Sequence, residues 1–269
     1  MENKELSLKE IQEESFKVLL KIKEIFEKNH WTYFLMYGTL LGAIRHNGFI
    51  PWDDDIDIWV PRKDYEKFVE YCINNKEELG SFELHHYKTN DKYIYPIARF
   101  SNSEFRTEYT DAKEYGLGTF VDIYPIDGVE PETLDKDFKV IKKKSKLICL
   151  LGFSHYVRSK STLKNIIKYP YYQIIKHKNL NKQLRKIDNL GAKHSLDECD
   201  YCNCMCWADE KLMIDKKDIF PVQSHCFNGV DFSIPKDYDK ILKYLYGDYM
   251  KLPPESERIA HHYYKTFRK

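Results

Sequence analysis

Past Ser7 the chain settles into a helical rhythm, with Ile11, Val18, Leu19, Ile22, Ile25 and Phe26 on one face. Glu10 stands at capping-box spacing from Ser7, and the helix is expected to stop near Asn29. "WTYFLMYG" (31–38) is aromatic and apolar, the pattern of a buried strand ending at Gly38. "TLLGAIR" then reads as a short helix closed by an Asn47-Gly48 turn. After Pro51 the period drops to two: "DDIDIWV" alternates acid and apolar residues and predicts a strand with one polar face. Asp64 to Cys72 returns to helical spacing. "SFELHHY", "YIYPIARF" and "GTFVDIYPID" predict three more strands, the last ending in a turn at Asp127-Gly128. This order of elements describes an α/β (α+β) core over residues 1–130.

The pattern changes after about residue 131. Leu134, Phe138, Ile141 and Ile148 form one helical stripe. Ile166, Ile167, Ile174 and Ile175 form a second, interrupted by Pro170. Leu180, Leu184, Ile187 and Leu190 form a third, stopped by Gly191. "YCNCMCWAD" (201–209) predicts a strand, and "PKDYDKILKYLYG" a helix ending at Gly247. Residues 131–269 therefore read as a largely helical annex folded onto the core. From Lys139 to Ile187 this annex contains no Asp or Glu.

Composition narrows the class. The chain has 269 residues, 42% hydrophobic and 32% charged, enough for one good core or a core with an annex. A formal charge of +1 argues against nucleic acid as a partner. The charged N-terminus has no apolar h-region, and no window reaches the ~18 apolar residues of a membrane span. Seven cysteines without a secretion signal point to reduced thiols and a cytoplasmic protein.

The chemistry concentrates at Asp53, Asp54, Asp55 and Asp57. On a strand, Asp53, Asp55 and Asp57 would share a face while Ile56 and Ile58 enter the core. Like charges at that spacing repel, and a divalent cation removes the repulsion; hard oxygen ligands select Mg²⁺ or Mn²⁺. Asp122, between Val121 and Ile123, offers a carboxylate from a second strand. Two ions ~3.5–4 Å apart would suit in-line displacement at phosphorus. A calcium loop fails, because its sixth position is Ile58 and its twelfth is Asp64. A solvated acidic loop is disfavoured by the apolar alternation. A D-x-D glycosyltransferase remains the alternative, although such folds place more strands ahead of the motif. Tyr37, Gly38 and Thr39 end a strand and open a helix, so free N–H groups and the helix dipole there favour phosphate. That combination matches a nucleotidyltransferase layout.

"YGTLLGAIRHNGFIPWDDDIDIWVPRKDYEKF" resembles the signature of the LicD family, phosphocholine transferases of bacterial cell-surface polymers, whose distant relatives include fukutin and fukutin-related protein. "GTFVDIYPIDG" and "YLYGDYMKLPP" resemble its second and third blocks, in the expected order. The resemblance spans about residues 30–262 and leaves the basic segment 139–198 unmatched. It implies a nucleotidyltransferase-like mixed-sheet core moving phosphocholine from CDP-choline to a sugar hydroxyl of a lipid-linked glycan or teichoic acid precursor, with CMP leaving. Carried over by position, it implies Asp55, Asp57 and Asp122 as metal-binding catalytic carboxylates, Asp53 as a supporting acid, and Asp122 as the group deprotonating the acceptor. Arg45 and His46 lie in the same block as phosphate contacts, or else as an ion pair steadying the acids. Arg258 and His261 follow the Pro-Pro loop and are candidates for the pyrophosphate. Other readings of the core are an enzyme acting on nucleoside triphosphates and a module that only binds nucleotide.

Three further features stand apart. Cys199, Cys202, Cys204 and Cys206 invite a zinc reading, but on a strand alternate thiols stand ~6.6–6.8 Å apart and zinc needs its sulfurs under ~4 Å from one another. Packed core cysteines are the better expectation. His85-His86 and His261-His262 read as ordinary histidines, the second pair apart. The basic stretch 139–187 reads either as solvated helices or as a contact with the anionic inner face of a membrane.

Overall fold

The computed structural model describes residues 4–109, 112–158, 160–207, 211–259 and 264–269. Helix α1 spans Leu8–Lys28, and its Ser7/Glu10 capping box is formed in both directions. Its apolar face, Val18, Leu19, Ile22, Ile25 and Phe26, is buried, and Asn29 caps the end. Strand β1 is only Phe34–Leu35, because Tyr37 adopts φ +51 and already starts helix α2, Tyr37–His46. Asn47, left-handed at φ +57, closes α2 as its Asn-Gly pair requires.

Strand β2 is Asp57–Pro61, shorter than the alternation predicts. The Asp53 N–H bonds the Ile50 carbonyl, so the segment past Pro51 turns before it extends. Helix α3 (Arg62–Asn74) follows directly, then β3 (Phe82–His85), β4 (Ala98–Asn102), β5 (Phe105–Tyr109) and β6 (Thr119–Val129). Strand β4 takes up only the second half of "YIYPIARF"; Pro96, with no N–H to give, lies just ahead of it. Strand β6 does not turn at Asp127-Gly128. It runs on, fully buried, and Asp127 and Gly128 pair with Asn203 and Cys202. Gly128 is needed there for close approach: a Cβ would stand 2.4 Å from the Ser195 carbonyl oxygen.

Helices α4 (Pro131–Gly152), α5 (Thr162–Ile175) and α6 (Leu180–Gly191) come next. Strand β7 keeps only Tyr201–Asn203 of the expected strand, and β8 is Ile214–Asp215. Then follow α7 (Lys216–Ile219), β9 (Gln223–Phe227), β10 (Val230–Ile234), α8 (Tyr238–Tyr246) and β11 (Tyr264–Arg268). The main sheet runs β1-β2-β6-β4-β3, with β7 on the far half of β6 and β8 beyond it. Among the described residues only the β2–β6 pair is parallel, so the sheet is mixed and the class is α+β. Separate ribbons join β9 to β10 and β5 to β11.

One continuous apolar core links α1, α3 and the sheet, with Phe26, Phe68 and Phe100 in ring-to-ring contact at 5.0 and 5.6 Å. Helices α4 and α6 add Leu134, Ile141, Ile148, Leu184 and Ile187 to it. Helix α5 does not. Its expected stripe faces solvent at Ile166, Ile167 and Ile174, and only Ile175 is buried, while the helix continues through Pro170. Among the described residues no helix is long and apolar enough to cross a membrane.

Candidate active site

Asp57 opens β2 opposite Asp122 of β6, and Asp122 lies opposite Arg99 of β4, so three side chains form a row across three adjacent strands. Backbone contacts hold the row. The Asp57 N–H donates to Thr39 Oγ1 at 2.8 Å, the Met36 N–H to the Asp57 carbonyl at 3.1 Å, and the Asp122 N–H to the Ile56 carbonyl at 2.8 Å. Thr39 thus supports the acidic strand from the first turn of α2. Arg99 forks onto both oxygens of Asp122, with Nη2 to Oδ2 at 3.1 Å. Its third nitrogen donates to the hydroxyls of Tyr109 and Tyr115, and its plane rests on Tyr95 at 4.0 Å and Phe120 at 4.4 Å.

Asp53, Asp54 and Asp55 do not alternate; they converge, each offering a carboxylate oxygen within 4.8 Å of the others. Gln12 of α1 secures their loop through the Asp53 carbonyl at 2.7 Å, and the Tyr264 hydroxyl donates to Asp54. Gly38 lets this loop meet the start of α2, since a Cβ there would stand 2.8 Å from Asp53 Oδ2. Tyr37 carries left-handed strain at that junction, a cost that sites of this kind retain.

Burial, followed by the charges of Asp53, Asp54 and Asp122, pushes the Asp55 carboxyl well above the ordinary range. Burial, followed by Asp55, Asp122 and Asp53, does the same to Asp57, with a hydrogen bond from Tyr124 pulling the other way. Burial also raises Asp122, and Arg99 opposes it. Asp57 Oδ1 is buried without a hydrogen-bond partner. A crowded set of oxygen donors with one orphaned oxygen fits a hard divalent cation, which would satisfy that oxygen and relieve the repulsion.

Aromatic rings wall this centre. Tyr37 meets Tyr124 at 5.5 Å, Tyr124 meets Trp207 at 5.7 Å, and Trp207 meets Tyr95 at 6.0 Å. Tyr95 and Trp207 also line an apolar cavity of about 300 Å³ that Ile148, Phe153 and Ile187 complete.

Arg45 and His46 lie at the other end of α2 from Gly38, ~10 Å away by the helical rise. The expected ion pair with the acids is not what holds them. Arg45 donates to the Tyr249 carbonyl at 2.7 Å and to His46 Nε2 at 3.0 Å; burial and the Arg45 charge lower the His46 pKa. Arg258 lies over Trp52, whose ring meets His46 edge-on, so Arg45, His46 and Arg258 make one basic cluster distinct from the α2 start. His261 and His262 lie outside the described residues.

Two supports went unread in the sequence. Arg99 sits in a strand with nothing to mark it until β4 and β6 are in register. Tyr264 reaches Asp54 from 210 residues away. The other histidine pair is internal: His85 bonds Ser101 Oγ at 2.9 Å, and His86 Nε2 is buried without a partner. The cysteines pack in the core, but not as a strand. Past Asn203 the chain turns, bringing the sulfurs of Cys204 and Cys206 to 3.7 Å, while Cys199 donates to Glu130 and Cys202 to the Ile214 carbonyl.

A family profile described as "LicD/FKTN/FKRP, nucleotidyltransferase domain" matches residues 30–147, which carry the whole acidic row. The lipopolysaccharide cholinephosphotransferase LicD of Haemophilus influenzae is 31% identical over 98% of this chain and 99% of its own length. This chain belongs to the LicD family. An uncharacterized protein of Rickettsia typhi is 30% identical over 148 residues, covering 48% of this chain and 45% of that protein. The profile ends inside α4, so α5, the β9–β10 ribbon and Tyr264 lie beyond it.

Proposed function

We propose that this chain transfers phosphocholine from CDP-choline to a sugar hydroxyl of a lipid-linked cell-surface glycan, releasing CMP, with two Mg²⁺ or Mn²⁺ ions held by Asp53, Asp55, Asp57 and Asp122. The observation that carries this reading is the orphaned oxygen of Asp57, buried between Asp55 and Asp122 beside the start of α2. The likeness to a lipopolysaccharide cholinephosphotransferase along the whole chain supports the transferred group. Divalent ions bound there would neutralise the pyrophosphate and the crowded carboxylates. The chain's own groups do the rest. N–H groups at Gly38 and Thr39 meet a phosphate, and Arg99 aims the Asp122 carboxylate and opposes the effect of its burial. The acceptor oxygen attacks the phosphorus bearing choline, its proton passes to a carboxylate of the row, and the bond to CMP breaks. The cluster of Arg45, His46 and Arg258 suits a second anionic group of donor or acceptor.

The rings of Tyr124, Trp207 and Tyr95 favour choline among possible alcohols, because a quaternary ammonium binds aromatic faces. Its nitrogen lies four bonds from the phosphorus, and Tyr124, at one end of these rings, hydrogen-bonds Asp57. A lipid-linked acceptor also gives a purpose to the acid-free stretch 139–187 as a contact with an anionic membrane.

The test is to incubate the protein with Mg²⁺, a sugar acceptor and each donor in turn, and to identify the nucleotide released. CMP from CDP-choline, faster than from CDP-glycerol or CDP-ribitol, is the expected result. Pyrophosphate from a triphosphate, or UDP from a sugar nucleotide, would overturn it.

A further inference from the structure

Helix α5 turns its apolar side away from the protein. Leu163, Ile166, Ile167 and Ile174 are 77%, 65%, 77% and 71% exposed, and helical spacing puts them in one sector of ~100°. The opposite side is the one that packs. Asn165 accepts from the Tyr156 hydroxyl, Lys168 Nζ donates to the Val157 carbonyl at 3.0 Å, Tyr172 meets the ring of Tyr156, and Ile175 is buried. A row of large aliphatic side chains, with exposed Pro170 between Ile167 and Ile174, is not how a monomer ordinarily meets water. Exposed Lys160 and Lys164 flank the row at one end, and Lys176 and Lys178 at the other. No acid falls between Lys139 and Ile187. Basic ends around an apolar stripe complement an anionic bilayer, in whose interface such a helix lies flat.

We propose that α5 is an in-plane membrane anchor: Leu163, Ile166, Ile167 and Ile174 insert among the acyl chains of an anionic bilayer while the flanking lysines meet its headgroups. The contact is thereby insertion by one helix rather than attraction spread over 139–187. It rests on the transferase reading only for its purpose, which is to hold the site beside a lipid-linked acceptor.

The test uses the full chain without donor or acceptor. Flotation is measured with vesicles of phosphatidylcholine plus phosphatidylglycerol, and of phosphatidylcholine alone. The protein should float with the anionic vesicles, and Ile167→Glu and Leu163→Glu should each cut partitioning ~10–100-fold. Both variants should keep the native circular dichroism and melting temperature, since neither side chain is packed. Absence of flotation with anionic vesicles, or undiminished flotation of both variants, overturns the proposal. So does a concentration-dependent dimer, formed without lipid and abolished by Ile167→Glu, because a second copy would then cover the face. CMP release with a water-soluble acceptor separates the two readings: it should survive Ile167→Glu. Its absence from the native protein would count against the transferase and leave the vesicle result standing.

Discussion

Asp57, Asp122 and Arg99 show how three strands convert an acid-rich stretch into a site. Arg99 offsets the charge of Asp122 with a two-pronged ion pair, and among the described residues no cation does the same for Asp55 or Asp57. Both carry carboxyl pKa values above those of the unfolded chain. Between the two values the native protein therefore holds more protons than the unfolded one, and stability falls as pH rises through that window. Without divalent cation, the melting temperature should drop as pH rises above the ordinary carboxylate range. Asp57→Asn should flatten that drop, and Mg²⁺ should restore stability to the native protein at the upper end but not to the variant. The same substitution should reduce CMP release on the order of a thousandfold, since a ligand of a two-metal centre is worth several kcal/mol in the transition state. A melting temperature independent of pH and metal, or near-native turnover of Asp57→Asn, would remove these carboxylates from the mechanism. Asp57 was legible in the sequence because an acid between isoleucines needs a reason. Arg99 was not, because its partner is set by strand register.

At the scale of elements, Arg62 at the start of α3 fastens three pieces together. It donates to both oxygens of Asp127 on β6, at 2.8 and 2.6 Å, and to Asp188 on α6 at 2.8 Å; the Tyr87 hydroxyl completes Asp188 at 2.6 Å. Asp127 and Asp188 are buried, so Arg62→Ala would strand two carboxylates. A loss of ~3–5 kcal/mol is expected, the usual cost of breaking a buried pair from one side, read as the denaturant midpoint at an unchanged slope. A change under 1 kcal/mol would mean that water reaches the network. Periodic patterns located α1, α2, α6 and α8 because each follows one apolar stripe between clear end signals. They failed where tertiary contact decides. Asp127-Gly128 looks like a turn and is a strand, because Gly128 admits the Ser195 carbonyl. The stripe of α5 looks like a core face and is exposed. The β9–β10 hairpin had a usable signal in Asn228-Gly229, both at positive φ.

Across the whole molecule, segments from far apart in the sequence meet on β11, and one residue of β11 reaches the acids. Strand β11 pairs with β5, the Leu6 N–H bonds the Thr266 carbonyl, and Tyr264 packs on Tyr109 and Phe120 at 5.6 and 5.8 Å while its hydroxyl holds Asp54. Burial, followed by the Asp54 charge, keeps that phenol protonated and donating. Tyr264→Phe preserves the ring contacts and removes the hydrogen bond to Asp54, so stability should fall by about 1 kcal/mol. The acidic loop loses its outer support, and its oxygens lose their fixed arrangement. The concentration of Mg²⁺ giving half-maximal CMP release should therefore rise several-fold, with the maximal rate changed less. Removing residues 264–269 should give the same metal shift together with a larger loss of stability, because β5 loses its partner strand. If Tyr264→Phe left the metal requirement untouched while the truncation raised it, the ribbon rather than the hydroxyl would be what positions Asp54. If neither moved it, the C-terminal strand would be a structural closure alone, and the acidic loop would be set from Gln12 and Gly38.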